Sequence, residues 1–411
     1  MTHPGNVLVG QSGGPTAVIN QTLIGVVEAA LAAPGAGRVL GAINGIQGIL
    51  DGRLCDFADE DRDRFEVVAQ TPSSALLSVR LKPDDDICRR ILDRCRQLDV
   101  RYFFYIGGND TAETTHIISR MAEESGYDLR CFHCPKTIDN DLCVTDHCPG
   151  YGSAARWVIQ ALMADNLDNR SLGGVKIDIV MGRDAGWLTA ASALARVHAD
   201  DGPHLIYLPE VDFSLERFVA DVEAVYRRLG RCVVAVSEGI HGPERAAIVD
   251  SAEIDSHGNR QLSGSGALGD VLAGAVKRHL AAVMPGSAHR VRADTFGYVQ
   301  RCFPGVISPV DAAEARQVGR DAVAAAWAGD QPSGSIALRR EPGPSYQATT
   351  FVTPLATVAK VTKPFPTAWT TPSGNDVVME QFDPYLRPLL GALPEIGHLR
   401  LRPIDIAPES A

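Results

Sequence analysis

The feature that most constrains the fold is a regular alternation of short apolar runs with amphipathic helical patterns. The apolar runs are typical of buried strands and occupy residues 6–9, 102–106, 177–181, 204–208 and 232–236. The helical patterns occupy residues 17–31, 215–229 and 271–283, and weaker strand character follows at 345–361. Such alternation predicts βαβ units around mostly parallel sheets, an α/β fold. Because open parallel sheets bind ligands beyond the carboxyl ends of their strands, we expect the functional residues in the loops there.

The charge balance limits the classes of partner. The 411 residues include 50 acidic and 39 basic side chains, a net charge of −11, which argues against a general nucleic-acid surface. A small anionic ligand stays possible, because a few basic side chains can converge in one cleft. No apolar run approaches the ~20 residues of a membrane span, and the N-terminus shows no secretory signal. We therefore expect no nucleic-acid or membrane partner.

The nine cysteines indicate a reduced, cytoplasmic protein, because their number is odd and several lie in apolar runs. One group superficially resembles zinc-ligand spacing: Cys131, His133, Cys134, Cys143, His147 and Cys148. The two-residue spacing occurs only once, and no Cys-x-x-Cys partner follows. We favour core thiols beside a functional loop.

Two glycine-rich loops follow predicted strands. Residues 10–16, Gly-Gln-Ser-Gly-Gly-Pro-Thr, lead into a helix and suit anion binding, but they match neither the Walker loop nor the dinucleotide fingerprint. A plain tight turn stays open as an alternative. Residues 107–111, Gly-Gly-Asn-Asp-Thr, place an amide and a carboxylate directly after a strand. A structural turn would also favour these residues.

The segment 134–141, Cys-Pro-Lys-Thr-Ile-Asp-Asn-Asp, is dense in ionisable groups. Asp139 can act as a general base toward a hydroxyl while Asp141 holds a divalent cation. Lys136 supplies a compact positive charge for a phosphoryl group in transfer. The alternative is an Asx-rich turn that caps a helix. Arg183 and Glu238 also follow strands, and that placement favours ligand contacts over solvated surface positions.

Five blocks, in chain order, resemble the phosphofructokinase family and specifically its pyrophosphate-dependent branch: 10–20, 107–111, 135–141, 181–183 and 292–301. The resemblance implies two Rossmann-like three-layer domains with mostly parallel sheets, an active site in the cleft between them, and a C-terminal extension. It implies a diphosphate-binding domain at 1–145 that is completed by 302–345, a sugar-phosphate-binding domain at 146–301, and an extension at 346–411.

The resemblance also implies residue roles. Asp139 matches the base that takes a proton from the sugar 1-hydroxyl, with Lys136 and Asp110 beside it. Diphosphate contacts are implied for Gly10, Gly14 and Arg80. Magnesium contacts are implied for Asn109, Asp110 and Asp141. Sugar-phosphate contacts are implied for Thr137, Ile138, Asp139, Met181, Gly182, Arg183, Glu238, Arg292, Tyr298, Val299, Gln300 and Arg301.

Two positions bear on the phosphoryl donor, since ATP-dependent relatives carry glycines where this chain has Asp110 and Lys136. The carboxylate of Asp110 would crowd and repel the α-phosphate of ATP. Lys136 could instead stabilise the charge of a shorter donor, inorganic diphosphate. The chain also departs from the family pattern at several positions, among them Asn109, Gly174, Tyr298 in place of His, and Cys302-Phe303 in place of a Gly-Gly pair. Asn109 replaces a magnesium-linked Asp, so the metal rests mainly on Asp110, Asp141 and the diphosphate. Gly174 replaces an Arg that would contact the sugar phosphate across subunits.

The resemblance implies a Mg²⁺-dependent, reversible phosphoryl transfer from diphosphate to the 1-hydroxyl of fructose 6-phosphate, giving fructose 1,6-bisphosphate and phosphate. It implies a homodimer or homotetramer. Sedoheptulose 7-phosphate is an alternative acceptor, because it shares the reacting end. A non-catalytic sugar-phosphate sensor is favoured only by Asn109, and a dinucleotide-dependent dehydrogenase only by the first glycine loop. The phosphoryl-transfer reading requires five cations to converge in one cleft: Arg80, Lys136, Arg183, Arg292 and Arg301.

Overall fold

The computed structural model describes residues 4–242, 266–286 and 288–399. Its strands are Gly5–Gln11 (β1), Ala36–Ala42 (β2), Leu54–Asp56 (β3), Val100–Gly107 (β4), Arg130–Pro135 (β5), Gly174–Val180 (β6), Leu205–Tyr207 (β7), Arg231–Ser237 (β8), Val291–Thr295 (β9), Ser333–Arg340 (β10) and Ala348–Thr353 (β11). Its α-helices are Ile19–Ala32 (α1), Gly45–Asp51 (α2), Phe65–Gln70 (α3), Asp85–Gln97 (α4), Asn109–Glu124 (α5), Tyr151–Leu172 (α6), Trp187–Ala191 (α7), Leu215–Leu229 (α8), Ala267–Val283 (α9), Pro309–Ala328 (α10) and Met379–Leu386 (α11).

The first sheet has seven strands in the order β11-β10-β5-β4-β1-β2-β3. All its neighbours are parallel except the edge strands β3 and β11, which are antiparallel to β2 and β10. Helices α1, α3 and α10 cover one face, and α2, α4 and α5 cover the other. Parallel strands are joined by crossovers that contain helices, so β1, β4 and β5 all run in the same direction. Their carboxyl ends therefore lie at the same edge of the sheet.

The second sheet has four parallel strands in the order β7-β8-β6-β9. Helices α6 and α7, together with residues from the C-terminal segment such as Phe365 and Phe382, cover one face. Helices α8 and α9 cover the other. Burial on both faces explains why the run from Cys232 to Val236 is apolar without alternation.

The predicted α/β fold with two mostly parallel, three-layer sheets is confirmed, and the predicted strands and helices lie at the expected places. The weak strand expected over 345–361 is limited to Ala348–Thr353, because a 3-10 turn follows at Leu355–Thr357. The domain boundaries stay a prediction, although β10 pairs with β5 of the first sheet. Residues 400–411 of the expected extension lie outside the described residues. In the described ranges, none of the helices combines the length and apolar character that crossing a bilayer requires.

Candidate active site

A cavity of about 800 Å³ opens beyond the carboxyl ends of β1, β4 and β5. The residues that line it come from the loops after these strands and from the segment before α4: Ser12, Gly13, Gly14, Val79, Arg80, Leu81, Lys82, Gly108, Asn109, Asp110, Thr111, Lys136, Thr137, Asp139 and Asp141. The cavity therefore lies where an open parallel sheet places its ligand site.

The loop after β1 is shaped for close approach by cations. Gly13 has a φ of +75°, and a side chain there would begin 3.2 Å from the ammonium of Lys136. A side chain at Gly14 would begin 3.2 Å from the guanidinium of Arg301. Ser78 fixes the loop by donating to the Gly13 carbonyl at 2.6 Å. Gly10, in contrast, lies within β1 against the ring of Tyr105 and does not line the cavity.

Lys136 is buried and donates from Nζ to the carbonyl oxygen of Gly14 at 2.7 Å. Burial, followed by the nearby charges of Arg301 and Arg80, lowers the pKa of Lys136 to about 7. An anionic ligand in the cavity would favour the charged form, because it would offset both effects. Lys136 is therefore a cation whose charge depends on what the cavity holds.

Few contacts offset the cost of burying the Asp139 carboxyl. Its Oδ1 atom is buried without a hydrogen-bond partner, and its backbone N–H donates to Thr137 Oγ1 at 3.1 Å. Burial, then the like charges of Asp141 and Glu238, raise the pKa of Asp139 to about 7, against the opposing charge of Arg301. A carboxylate with such a pKa is suited to take a proton from a hydroxyl near neutral pH.

Oxygen atoms suitable for a divalent cation lie beside Asp139. Asn109 donates from Nδ2 to Asp141 Oδ2 at 3.1 Å, and its Oδ1 atom is buried without a hydrogen-bond partner. Burial raises the pKa of Asp141, a cost that a bound cation would remove. Asp110 lines the cavity with an exposed carboxylate 3.6 Å from Lys82. These carboxylate and amide oxygens fit a hard cation such as Mg²⁺.

The second sheet contributes residues on the other side of Asp139. Glu238, directly after β8, is buried and close enough to raise the pKa of Asp139. Gln300 is also buried, but its Oε1 accepts from the Met181 N–H at 3.2 Å and its Nε2 donates to the Gly297 carbonyl at 2.7 Å. Gln300 therefore holds the loop after β6 in place. Gly182 in that loop has a φ of +131°, and Arg183 is half-buried.

The expected convergence of five cations is met in part. Arg80 and Lys136 line the cavity, and Arg301 acts electrostatically on Lys136 and Asp139 while its guanidinium lies 4.4 Å from the Tyr298 ring centroid. Arg183 and Arg292 do not line the cavity. Arg292 is exposed on β9, the edge strand of the second sheet.

The other predicted sugar contacts differ in exposure. Tyr298 and Val299 are 42% and 55% exposed, whereas Ile138 is buried in the core beneath the second sheet. Gly174 has a φ of +91°, and a side chain there would begin 2.5 Å from the Arg290 carbonyl. The backbone at this position therefore excludes the Arg expected from the family pattern.

Sequence reasoning missed several contributors. Asp184 acts on Asp139 as a third like charge, and its place directly after Met181-Gly182-Arg183 was a usable signal. Ser12, Gly13, Lys82 and Thr111 line the cavity within or beside segments that had been singled out. The contact between Asn140 and Tyr385 carried no local signal, since the two residues are brought together only by the fold.

The histidines in the zinc-like group are already engaged. Both ring nitrogens of His133 contact protein oxygens, Ser335 Oγ and the Gly107 carbonyl, each at 2.8 Å. Those of His147 contact Asp146 at 2.8 Å and Glu314 at 2.6 Å. Neither imidazole has a nitrogen left for zinc in this arrangement.

Comparisons with known proteins cover almost the whole chain. A family model described as phosphofructokinase matches residues 6–326. The pyrophosphate–fructose 6-phosphate 1-phosphotransferase of Rhodospirillum rubrum is 49% identical over 401 residues, covering 96% of this chain and 97% of the relative. The enzyme of the same description from Halomonas elongata is 36% identical, covering 94% and 91%. The crystal structure of the pyrophosphate-dependent phosphofructokinase from Marinobacter aquaeolei superposes with a TM-score of 0.82 at 32% identity, covering 98% of each chain.

Proposed function

The chain belongs to the phosphofructokinase family, and we propose that it transfers a phosphoryl group reversibly from inorganic diphosphate to the 1-hydroxyl of fructose 6-phosphate. The products are fructose 1,6-bisphosphate and phosphate. The observation that carries this function is the placement of Asp139 and Lys136 in one cavity, a carboxylate with a pKa of about 7 beside a buried ammonium on the glycine loop. The activity named for relatives that match nearly the full chain supports it.

The chain's own residues account for the steps of the transfer. Asp139 accepts the proton of the sugar hydroxyl, which becomes the nucleophile. Lys136, Arg80 and backbone N–H groups of the loop after β1 stabilise negative charge on the transferring group and the leaving phosphate. The family implies a divalent metal; we assign it as Mg²⁺, held by Asp141, Asp110 and the Asn109 amide oxygen, where it would neutralise diphosphate charge.

We place the sugar ring against Thr137, Met181, Gly182, Arg183 and Glu238 on the side of the second sheet. Arg301 and Tyr298 form the cradle for the 6-phosphate, where the guanidinium and the ring already contact each other. Arg292 is exposed on an edge strand, away from this cavity, so its part in the cradle requires a second copy of the chain. We therefore infer a homodimer or homotetramer, which light scattering coupled to size-exclusion chromatography would test.

We assign the enzyme to the cytoplasm, supported by nine free thiols and no disulfide among the cysteines, all of which lie in the described residues. We also retain the division into 1–145 with 302–345, 146–301 and 346–411. The pairing of β10 with β5 supports the assignment of 302–345 to the first domain.

The test of function is an initial-rate comparison of donors. Mg²⁺-diphosphate and Mg²⁺-ATP are supplied in turn with fructose 6-phosphate, and then with sedoheptulose 7-phosphate. We expect turnover with diphosphate and preference for fructose 6-phosphate. Preference for ATP would overturn the donor assignment. Sugar-phosphate binding without turnover on any donor would favour the sensor.

The double substitution Asp110→Gly with Lys136→Gly examines the donor assignment further. It removes the carboxylate at the cavity wall and the ammonium at the glycine loop. We expect diphosphate turnover to fall and ATP to gain access. Unchanged diphosphate kinetics in this variant would show that these positions do not select the donor.

A further inference from the structure

The loop that carries Asp139 and Asp141 is held from a part of the chain that is more than two hundred residues away in sequence. Between the two carboxylates lies Asn140, fully buried and in the left-handed region with a φ of +54°. Its Nδ2 donates to the Tyr385 hydroxyl at 2.8 Å, and its Oδ1 accepts from the Cys148 N–H at 3.0 Å. Both ends of the Asn140 amide are thus committed to holding the loop.

Tyr385 also contacts the same loop at a second residue. Its hydroxyl donates to the carbonyl oxygen of Asp146 at 2.8 Å. Its ring is half-buried and packs against aromatic neighbours, with centroids 5.3 Å from Trp187 and 5.5 Å from Trp369. These ring contacts, together with the two hydrogen bonds of the hydroxyl, restrict the position of the Tyr385 side chain.

Lys363, from the same C-terminal segment, also contacts this loop, which runs from the end of β5 to the start of α6. Its backbone N–H donates to the Asp141 carbonyl at 2.6 Å, and its Nζ donates to the carbonyls of Asp146 and Thr145 at 2.9 and 3.1 Å. Its own carbonyl accepts from the Trp187 indole at 3.2 Å. The segment therefore contacts the loop at two places, residues 140–141 and residues 145–146.

We propose that Tyr385 and Lys363 are positioning residues that fix the catalytic loop, with Tyr385 acting through Asn140. A left-handed backbone at a non-glycine residue persists only where its surroundings enforce it. Without the Tyr385 contact, Asn140 relaxes and the carboxylates on either side of it change direction. Misplacement of a reacting group by about 1 Å can lower a rate about 100-fold. The inference rests on the proposed phosphoryl transfer.

The test is Tyr385→Phe, which removes one hydroxyl and keeps the packed ring. We expect kcat to fall about 10- to 100-fold while KM for both substrates stays within about threefold, since most of the predicted diphosphate and sugar-phosphate contacts lie on other elements. The matched control is Tyr127→Phe, which also removes a half-buried hydroxyl bonded to a carbonyl, that of Val100 at 2.7 Å, but does not contact the loop. If Tyr385→Phe and Tyr127→Phe lower the melting temperature equally and both keep the wild-type kcat, Tyr385 has only a structural role. That result would overturn the proposal.

A double-mutant cycle shows whether Tyr385 acts through Asn140. If it does, the combined loss of kcat in Asn140→Ala with Tyr385→Phe is smaller than the product of the two single losses, with the Asp146 contact accounting for what Tyr385→Phe still adds. Multiplying losses would contradict the relay. Lys363→Met, which removes the donors to Thr145 and Asp146 but keeps the chain length, is expected to lower kcat with little change in KM. Absence of diphosphate turnover in the wild type would instead refute the proposed function, which separates the two failures.

Discussion

The ammonium nitrogen of Lys136 lies 2.7 Å from the carbonyl oxygen of Gly14, so the loop after β5 contacts the glycine loop after β1 directly. The absence of a side chain at Gly13 gives the ammonium room, because a Cβ there would lie 3.2 Å from Nζ. A single carbonyl dipole compensates a buried ammonium poorly, and the pKa of Lys136 falls to about 7 by burial and neighbouring cations. Binding of an anion in the cavity would therefore stabilise the charged form of Lys136.

This relationship predicts a bell-shaped pH dependence of kcat/KM for diphosphate. The rate rises as Asp139 ionises and falls as Lys136 loses its proton, since both groups have a pKa of about 7 in the free enzyme. Lys136→Met should lower kcat/KM about 100-fold and keep only the rising limb. The ionisation of diphosphate itself affects the wild type and the variant equally. Dividing one pH profile by the other therefore leaves only the contribution of Lys136. A ratio that does not vary with pH would contradict its assignment.

Asp139→Asn should separate catalysis from stability. We expect kcat to fall about 10²- to 10⁴-fold, because the amide cannot accept the hydroxyl proton. The folded pKa of about 7 lies above the ordinary 3.8, so the wild type loses stability as the pH rises between these values. The variant, which cannot ionise, should therefore melt higher than the wild type at pH 8. Exposed Asp330→Asn is the control, with neither effect. Retained turnover would remove Asp139 as the base.

Sequence patterns located most of the segments that line this cavity, because three of them directly follow strands of the first sheet, whereas the segment with Arg80 precedes α4. Lys136, Asp139 and Asp141 share one short segment, and a parallel sheet brings that segment to the same edge as residues 10–16 and 107–111. Local patterns were sufficient there.

The same reasoning could not find the contacts made by the C-terminal segment. Tyr385 meets Asn140 through tertiary packing alone, and although Asn140 lies in the segment 134–141, no periodicity or motif marks Tyr385 or links the two. Arg292 shows a different limit, since a single chain leaves it exposed. Whether a side chain on a strand faces the cavity or the solvent depends on how the elements pack, which strand and helix patterns do not encode.

Asn109 offers a test of the metal site. Asn109→Asp replaces the 3.1 Å hydrogen bond to Asp141 with two carboxylates at the same distance. Without metal we expect a lower melting temperature, because like charges at this separation repel. With millimolar Mg²⁺ the variant should regain that loss and bind the ion more tightly than the wild type, since it adds a carboxylate ligand. Calorimetric titration of Mg²⁺ measures this, and equal affinities would place the cation elsewhere.

The environment of His147 predicts a further pH dependence of stability, opposite in its origin to that of Asp139 because His147 is held in its charged form. It is buried between Asp146 and Glu314, and although burial alone would lower its pKa, these hydrogen bonds raise it to about 8 from 6.5. A folded pKa above the unfolded one stabilises the protein fully below about pH 6.5, and that stability is lost as the pH rises through about 8. The shift corresponds to about 2 kcal/mol. His147→Gln, which stays neutral, should therefore melt well below the wild type at pH 6 and approach it at pH 9. His116→Gln on α5 is the control, and a melting difference that stays constant from pH 6 to 9 would show that His147 is not held in its charged form.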